Sequence, residues 1–146
     1  GGEPALVCGD TLELELLFSN LLKNAFEAAY SALSEKVRPA ISGGTEEASD
    51  ACVSIDLAVT DGAVTVTIEN TGTVLSDDEI KRLTEPFVTS KSTGLGLGVP
   101  IAIGLAEASG GHIDFTRRES GGLRVCVTLP CAPKEDDNDE QKDESA

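Results

Sequence analysis

The sequence predicts an α+β fold, a two-layer α/β sandwich in which one mixed, mostly antiparallel sheet is covered on one face by three helices. Three observations carry that prediction. The chain has 146 residues, enough for a single core. Its elements come in the order strand, long helix, two strands, short helix, glycine loop, helix, two strands, about five strands and three helices in all. In each element the apolar residues fall on one face, which must be buried against a second layer.

Ala5 to Cys8 is a short apolar run and reads as an edge strand. Asp10 stands three residues before Glu13, as in a capping box, and starts a long helix expected to reach about Leu33. Leu14, Leu17, Leu21, Ala25 and Ala28 recur at intervals of three and four and form its expected core stripe. Ser34 to Ala51 is polar, with Pro39 and Gly43-Gly44, and reads as a loop. Val53, Ile55, Leu57 and Val59 alternate with small or polar residues, Asp61-Gly62 marks a tight turn, and Val64, Val66 and Ile68 continue the alternation on the return strand. Asn70 shares their parity, so a polar side chain is expected on the core face, where it needs a partner. Ser76 and Glu79 form another capping box, with Leu75 and Ile80 placed as a hydrophobic staple, ahead of a helix from about Asp77 to Thr84. A third helix, about Val99 to Ser109, carries Pro100 in its first turn and stops at Gly110-Gly111. Ile113 and Phe115, then Leu123, Val125, Val127 and Leu129, form a last hairpin around Gly121-Gly122.

The charge balance is 11 basic against 26 acidic residues, net −15. A phosphate backbone or an anionic leaflet is repelled by such a chain, so nucleic-acid binding and direct membrane contact are not expected. No apolar run approaches the ~20 residues of a membrane helix. The domain is expected to span residues 1–131; residues 132–146, with seven acidic residues and two lysines, read as an acidic, disordered tail. Cys8, Cys52, Cys126 and Cys131 form no C-x-x-C pair, and the one histidine, His112, has no cysteine near it. Reduced thiols in a cytoplasmic protein are expected, and no zinc site.

Three constellations carry chemistry. Asn20 and Asn24 lie one helical turn apart at the flank of the apolar stripe; their amides either face solvent or coordinate a hard cation, which prefers oxygen ligands. Ile68-Glu69-Asn70-Thr71-Gly72 ends a strand in what is either ordinary turn chemistry or an amide presented to a nucleobase edge. Lys91-Ser92-Thr93-Gly94-Leu95-Gly96-Leu97-Gly98 opens a helix. Its glycines let a phosphate approach the backbone, the helix N-terminus offers unpaired N–H groups, and Lys91 adds a cation. The spacing matches neither G-x-G-x-x-G nor G-x-x-x-x-G-K-[ST].

Taken in this order, the motifs resemble a known family. Asn20-Leu21-Leu22-Lys23-Asn24-Ala25-Phe26-Glu27-Ala28 resembles the N box of the sensor histidine kinases. Glu85-Pro86-Phe87-Val88-Thr89-Ser90-Lys91 resembles their F box, and Thr93-Gly94-Leu95-Gly96-Leu97 their second glycine box. Gly110-Gly111-His112-Ile113 and Val127-Thr128-Leu129-Pro130 are similar to the closing strands. The resemblance runs from about Ala5 to Pro130 and extends to the superfamily that includes DNA gyrase, MutL and heat-shock chaperones.

The resemblance implies the histidine-kinase-like ATPase fold and an ATP-binding catalytic domain that donates the γ-phosphoryl of MgATP to a histidine. That histidine belongs to a separate dimerisation domain, and a response regulator acts downstream. It implies that Asn24 holds Mg²⁺, that Asn20 lines the phosphates, and that Lys91, Thr93, Gly94, Leu95, Gly96 and Leu97 lie over the triphosphate, with Asn70 and Gly72 at the base. It implies a phosphoprotein of two-component signalling, placed in the cytoplasm or in the cytoplasmic part of a membrane-anchored sensor. No residue here is assigned a catalytic role, and His112 reads as a strand residue. Asn70 replaces the family's usual Asp, Val74 the first glycine box's second glycine, and Val88 the second Phe of the F box. The segment between Lys91 and Thr93 is short.

Two rival readings remain. One is a superfamily ATPase or serine kinase, in which a Glu one turn before the metal-binding Asn acts as general base; Asn20 holds that place and accepts no proton at neutral pH. The other is a non-catalytic or degenerate nucleotide-binding module.

Overall fold

The structure, a computed structural model, describes residues 5–40, 51–87 and 97–133. Its elements are α1 (Thr11–Ala40), β1 (Val53–Thr60), β2 (Ala63–Asn70), α2 (Asp77–Leu83), α3 (Gly98–Ala108), β3 (His112–Arg117) and β4 (Leu123–Pro130). Asp10 starts α1: one carboxylate oxygen accepts from the Leu12 and Glu13 N–H groups at 2.9 and 3.1 Å, satisfying two otherwise unpaired donors of the first turn. The helix continues past Leu33 to Ala40. Once a helix is nucleated, each further residue fixed adds one hydrogen bond, and Pro39 enters only in the last turn. Residues 41–50, the rest of the expected loop, lie outside the described residues, as do residues 134–146 of the expected tail.

The four strands form one sheet in the order β1-β2-β4-β3, antiparallel at every pairing. The expected fifth strand is a single bridge, Val7 to Cys131, supported by the Ala132 N–H donating to the Leu6 carbonyl at 2.7 Å. No parallel pair occurs among the described strands, where the sequence reading had a mixed sheet: β1–β2 and β3–β4 are hairpins, and β4 returns antiparallel to β2.

Helices α1 and α3 pack on each other and on one face of the sheet. Leu17, Leu21 and Ala25 of α1, Ala102 and Ala106 of α3, Ile68 of β2, and Val125, Val127 and Leu129 of β4 form the core. The α1 stripe ends at Ala29, which is buried, while Ala28 is exposed. After Leu17, Leu21 and Ala25 the next residue on the face is four further on. The short helix α2 meets the sheet at β3 and buries none of its residues. Its capping box is as expected: the Glu79 N–H donates to the Ser76 hydroxyl at 3.2 Å and the Ser76 N–H to the Glu79 carboxylate at 2.7 Å. Helix α3 ends in a Schellman pattern, Gly110 N–H to the Glu107 carbonyl and Gly111 N–H to the Ala106 carbonyl, with Gly110 at φ 81°.

The β1 row departs from its sequence pattern. Ile55, Leu57 and Val59 face the same side as Ile68, Val66 and Val64, to which they are paired, yet all three are exposed. β1 is one edge of the sheet, and α1 packs more closely over β2 than over β1.

Candidate functional site

Asn20 and Asn24 project from α1 and are both half-buried. The Oδ1 of Asn20 lies beside Gly98, the first residue of α3, 3.4 Å from where a β-carbon there would stand. Among the described residues, the buried Nδ2 of Asn20 has no hydrogen-bond partner. Leaving a buried donor unpaired costs about 1–3 kcal/mol, so the site presents a donor that an incoming acceptor would relieve.

The strand end reaches the same helix further along. A β-carbon on Gly72 would stand 3.8 Å from the carbonyl oxygen of Ala28 and 3.5 Å from Nδ2 of Asn70. Asn20, Asn24 and Ala28 are spaced by four residues and share one side of α1. Gly98 sits against the first position and Gly72 against the last, with Asn24 between. Eight residues of helix span about 12 Å. The fold thus lays the start of α3 and the end of β2 at two ends of one helical row, with two amides along it. The exposure of Ala28, misread as core, follows from its place in this row.

Asn70 is 4 % exposed, the one polar residue of the described core. Its parity placed it correctly beside Ile68. Its Nδ2 donates to the Thr71 carbonyl at 3.0 Å. Thr71 is tied to the edge strand in turn: its N–H donates to the Cys52 carbonyl at 2.9 Å, and its hydroxyl accepts from the Cys52 N–H at 3.0 Å. On the other side, the Gly122 N–H donates to the Thr73 carbonyl at 3.0 Å. Leu97 is half-buried at the N-cap of α3, where no side chain caps the helix. Lys91, Thr93, Gly94, Leu95 and Gly96 lie outside the described residues, as does Val88.

Sequence reasoning passed over Gly98 and Arg118. Gly98 belongs to the quoted glycine run and was legible there. Arg118 carried no signal, because its relation to β2 depends on strand order. The four cysteines carry free thiols. A groove of about 360 Å³ between α2 and β3, lined by Ile80, Phe115 and Arg117 among others, includes none of the predicted site residues. Among the described residues no helix is long and apolar enough to cross a membrane.

An antiparallel sheet with helices on one face, and two helix amides set between a helix start and a strand end, make a two-layer α/β sandwich with a candidate ligand site along α1. The chain matches the "Histidine kinase-, DNA gyrase B-, and HSP90-like ATPase" family over residues 9–133, and it belongs to that family. It is 36% identical over 134 residues to the sensor protein CutS of Streptomyces coelicolor, covering 88% of this chain and 28% of CutS. It is 32% identical over 127 residues to the sensor protein FixL of Bradyrhizobium diazoefficiens, covering 87% of this chain and 22% of FixL. The chain therefore spans less than a third of these relatives. Its fold is similar to the catalytic domain of histidine kinase ThkA, with TM-score 0.65 and 24% identity over 85% of this chain and 70% of the other. It is also similar to the mycobacterial sensor histidine kinase MprB, with TM-score 0.62 and 23% identity over 87% of this chain and 76% of the other.

Proposed function

We propose that this domain is the ATP-binding catalytic domain of a sensor histidine kinase, delivering the γ-phosphoryl of MgATP to a histidine on a separate dimerisation domain. The observation that carries the reading is the row on α1: Asn20 against Gly98, Asn24 in the middle, and Gly72 over Ala28. The two ends of that row are about 12 Å apart, and a nucleotide laid along it meets the two chemistries it needs.

The residues suit the ligand. The buried Nδ2 of Asn20 is a donor without an acceptor among the described residues, and a phosphate oxygen supplies one. The start of α3, with no side-chain cap, leaves backbone N–H groups for an anion at the positive end of the helix dipole. Asn24 would hold Mg²⁺ through its amide oxygen. Mg²⁺, when bound, neutralises charge on the phosphate oxygens. Asn70 and Gly72 would meet the base. Asn20 carries no proton-accepting group, which favours transfer to an imidazole, itself a nucleophile, over activation of water or a serine hydroxyl.

In this reading the partners are a His-bearing dimerisation domain and a response regulator, and the domain works in the cytoplasm. Calorimetry with MgATP tests the binding. The wild-type chain is expected to bind at millimolar nucleotide or below, and Asn24→Ala to bind at least about tenfold more weakly with its melting temperature retained. Acid-labile phosphate on a His-bearing domain supplied in trans would complete the case. Absence of ATP binding, or acid-stable phosphate on serine or threonine, would overturn it.

A further inference from the structure

Arg118 stands just beyond β3, and its guanidinium turns back to the end of β2. Its Nη1 donates to the Asn70 carbonyl at 3.0 Å and to the Gly121 carbonyl at 3.3 Å. Its Nε lies 3.9 Å from the Glu69 carboxylate. The side chain is only 26% exposed. A partly desolvated guanidinium is stable when its donors find acceptors, and two backbone carbonyls and a carboxylate meet that need.

The turn that carries Arg118 is also pressed against the same segment. Gly122, at φ 92°, sits so close to β2 that a β-carbon there would stand 1.8 Å from the Asn70 carbonyl oxygen. The Arg118 N–H donates to the Gly122 carbonyl at 3.1 Å. Backbone pairs at Cys52 and Gly122 hold Thr71 and Thr73 whatever the side chains are. Asn70, whose amide is buried, additionally receives a side-chain donor, and that donor is charged.

We infer that Arg118 is a positioning residue for the base end of the nucleotide site: by gripping the Asn70 carbonyl it fixes the backbone that aims the Asn70 amide and the Gly72 approach. The inference rests on the nucleotide reading above. Arg124 is a built-in contrast. It bonds the Glu69 carboxylate through Nε at 2.5 Å from the exposed side, without a contact to the Asn70 carbonyl.

The test compares MgATP with magnesium tripolyphosphate, which has the phosphates and no base. Calorimetric Kd values and melting temperatures are measured for the wild-type chain, Arg118→Ala, Arg118→Lys and Arg124→Ala. Arg118→Ala is expected to raise the Kd for MgATP about tenfold and to leave that for tripolyphosphate within about twofold; Arg118→Lys, keeping the charge without the planar fork, should fall between. Arg124→Ala should leave both values within about twofold. An unchanged MgATP Kd in Arg118→Ala, or a parallel rise for both ligands, would overturn the inference while leaving the nucleotide site in place. If Arg118→Ala does not fold, Arg118→Lys decides: an unchanged MgATP Kd sinks the proposal. A wild-type chain that binds no MgATP removes the nucleotide reading and this role with it.

Discussion

The side-chain oxygen of Asn20 on α1 rests against Gly98, the first residue of α3, at a spacing that leaves ordinary van der Waals room for one added carbon, 3.4 Å from the oxygen. This contact joins the amide row of α1 to the helix start that follows the glycine run.

Gly98→Ala should therefore fold. Replacing a helical glycine removes backbone entropy from the unfolded chain, so stability should hold or rise by up to about 1 kcal/mol. The new methyl group fills space beside the Asn20 amide and the helix start that an incoming phosphate would use, so affinity for MgATP should fall. Thermal melts and calorimetry on one preparation check both halves. A loss of stability at unchanged affinity would contradict the role given to this contact.

Asn70 makes a second case. From sequence, its amide can rotate to offer either a donor or an acceptor. In the fold Nδ2 donates to the Thr71 carbonyl, and a base that meets Oδ1 finds an acceptor. An acceptor there welcomes the amino group of adenine and repels the carbonyl oxygen of guanine. The wild-type chain should thus prefer ATP to GTP, and Asn70→Asp should keep that preference. The variant should also be less stable by about 1–3 kcal/mol, because a buried carboxylate would then face the Thr71 carbonyl without a donor. Equal ATP and GTP affinities in the wild type would contradict the orientation.

The core should respond at Ile68, which is 1 % exposed and packs among α1 and β4. Ile68→Ala removes buried volume at the centre of the sheet and is expected to cost about 2–5 kcal/mol in urea unfolding. A loss under about 1 kcal/mol would mean that the site collapses around the smaller side chain.

At α2 the expected effect depends on pH. The Ser76 N–H bond, and then the Ser76 hydroxyl, hold the Glu79 carboxyl below its ordinary pKa. A depressed folded-state pKa means that the stabilisation is fully present above the unfolded value and is lost as pH falls through the folded one. The N-terminus of α2 should fray only in acid. Glu79→Gln should remove that dependence, since glutamine still reaches the Ser76 N–H. An NMR titration following the Glu79 carboxyl and the Ser76 amide should show a midpoint under the usual glutamate value; a midpoint at that value would refute the assignment.

Much of this molecule could be read without coordinates because its signals are local. The Asp10 and Ser76–Glu79 caps, the Gly110-Gly111 stop and the Asp61-Gly62 turn all rest on groups within a few residues of one another, where backbone geometry leaves little choice. The parity that buries Asn70 is of the same kind. The motif order also named the family, although Lys91 and the residues from Thr93 to Gly96 lie outside the described structure.

Long-range pairing settled the rest. The alternation of Ile55, Leu57 and Val59 says that one face is apolar, but their exposure depends on β1 being an edge strand that α1 covers less than it covers β2. The change from Ala28 to Ala29 as the buried residue reflects which side of α1 the sheet occupies. The bond from Arg118 to Asn70 joins residues 48 apart in the chain, and it exists because β4 pairs with β2 and sets Leu123 beside Asn70. Periodicity within a segment specifies a face; what covers that face, and which distant turn is pressed against it, is set by the lowest-energy packing of whole elements.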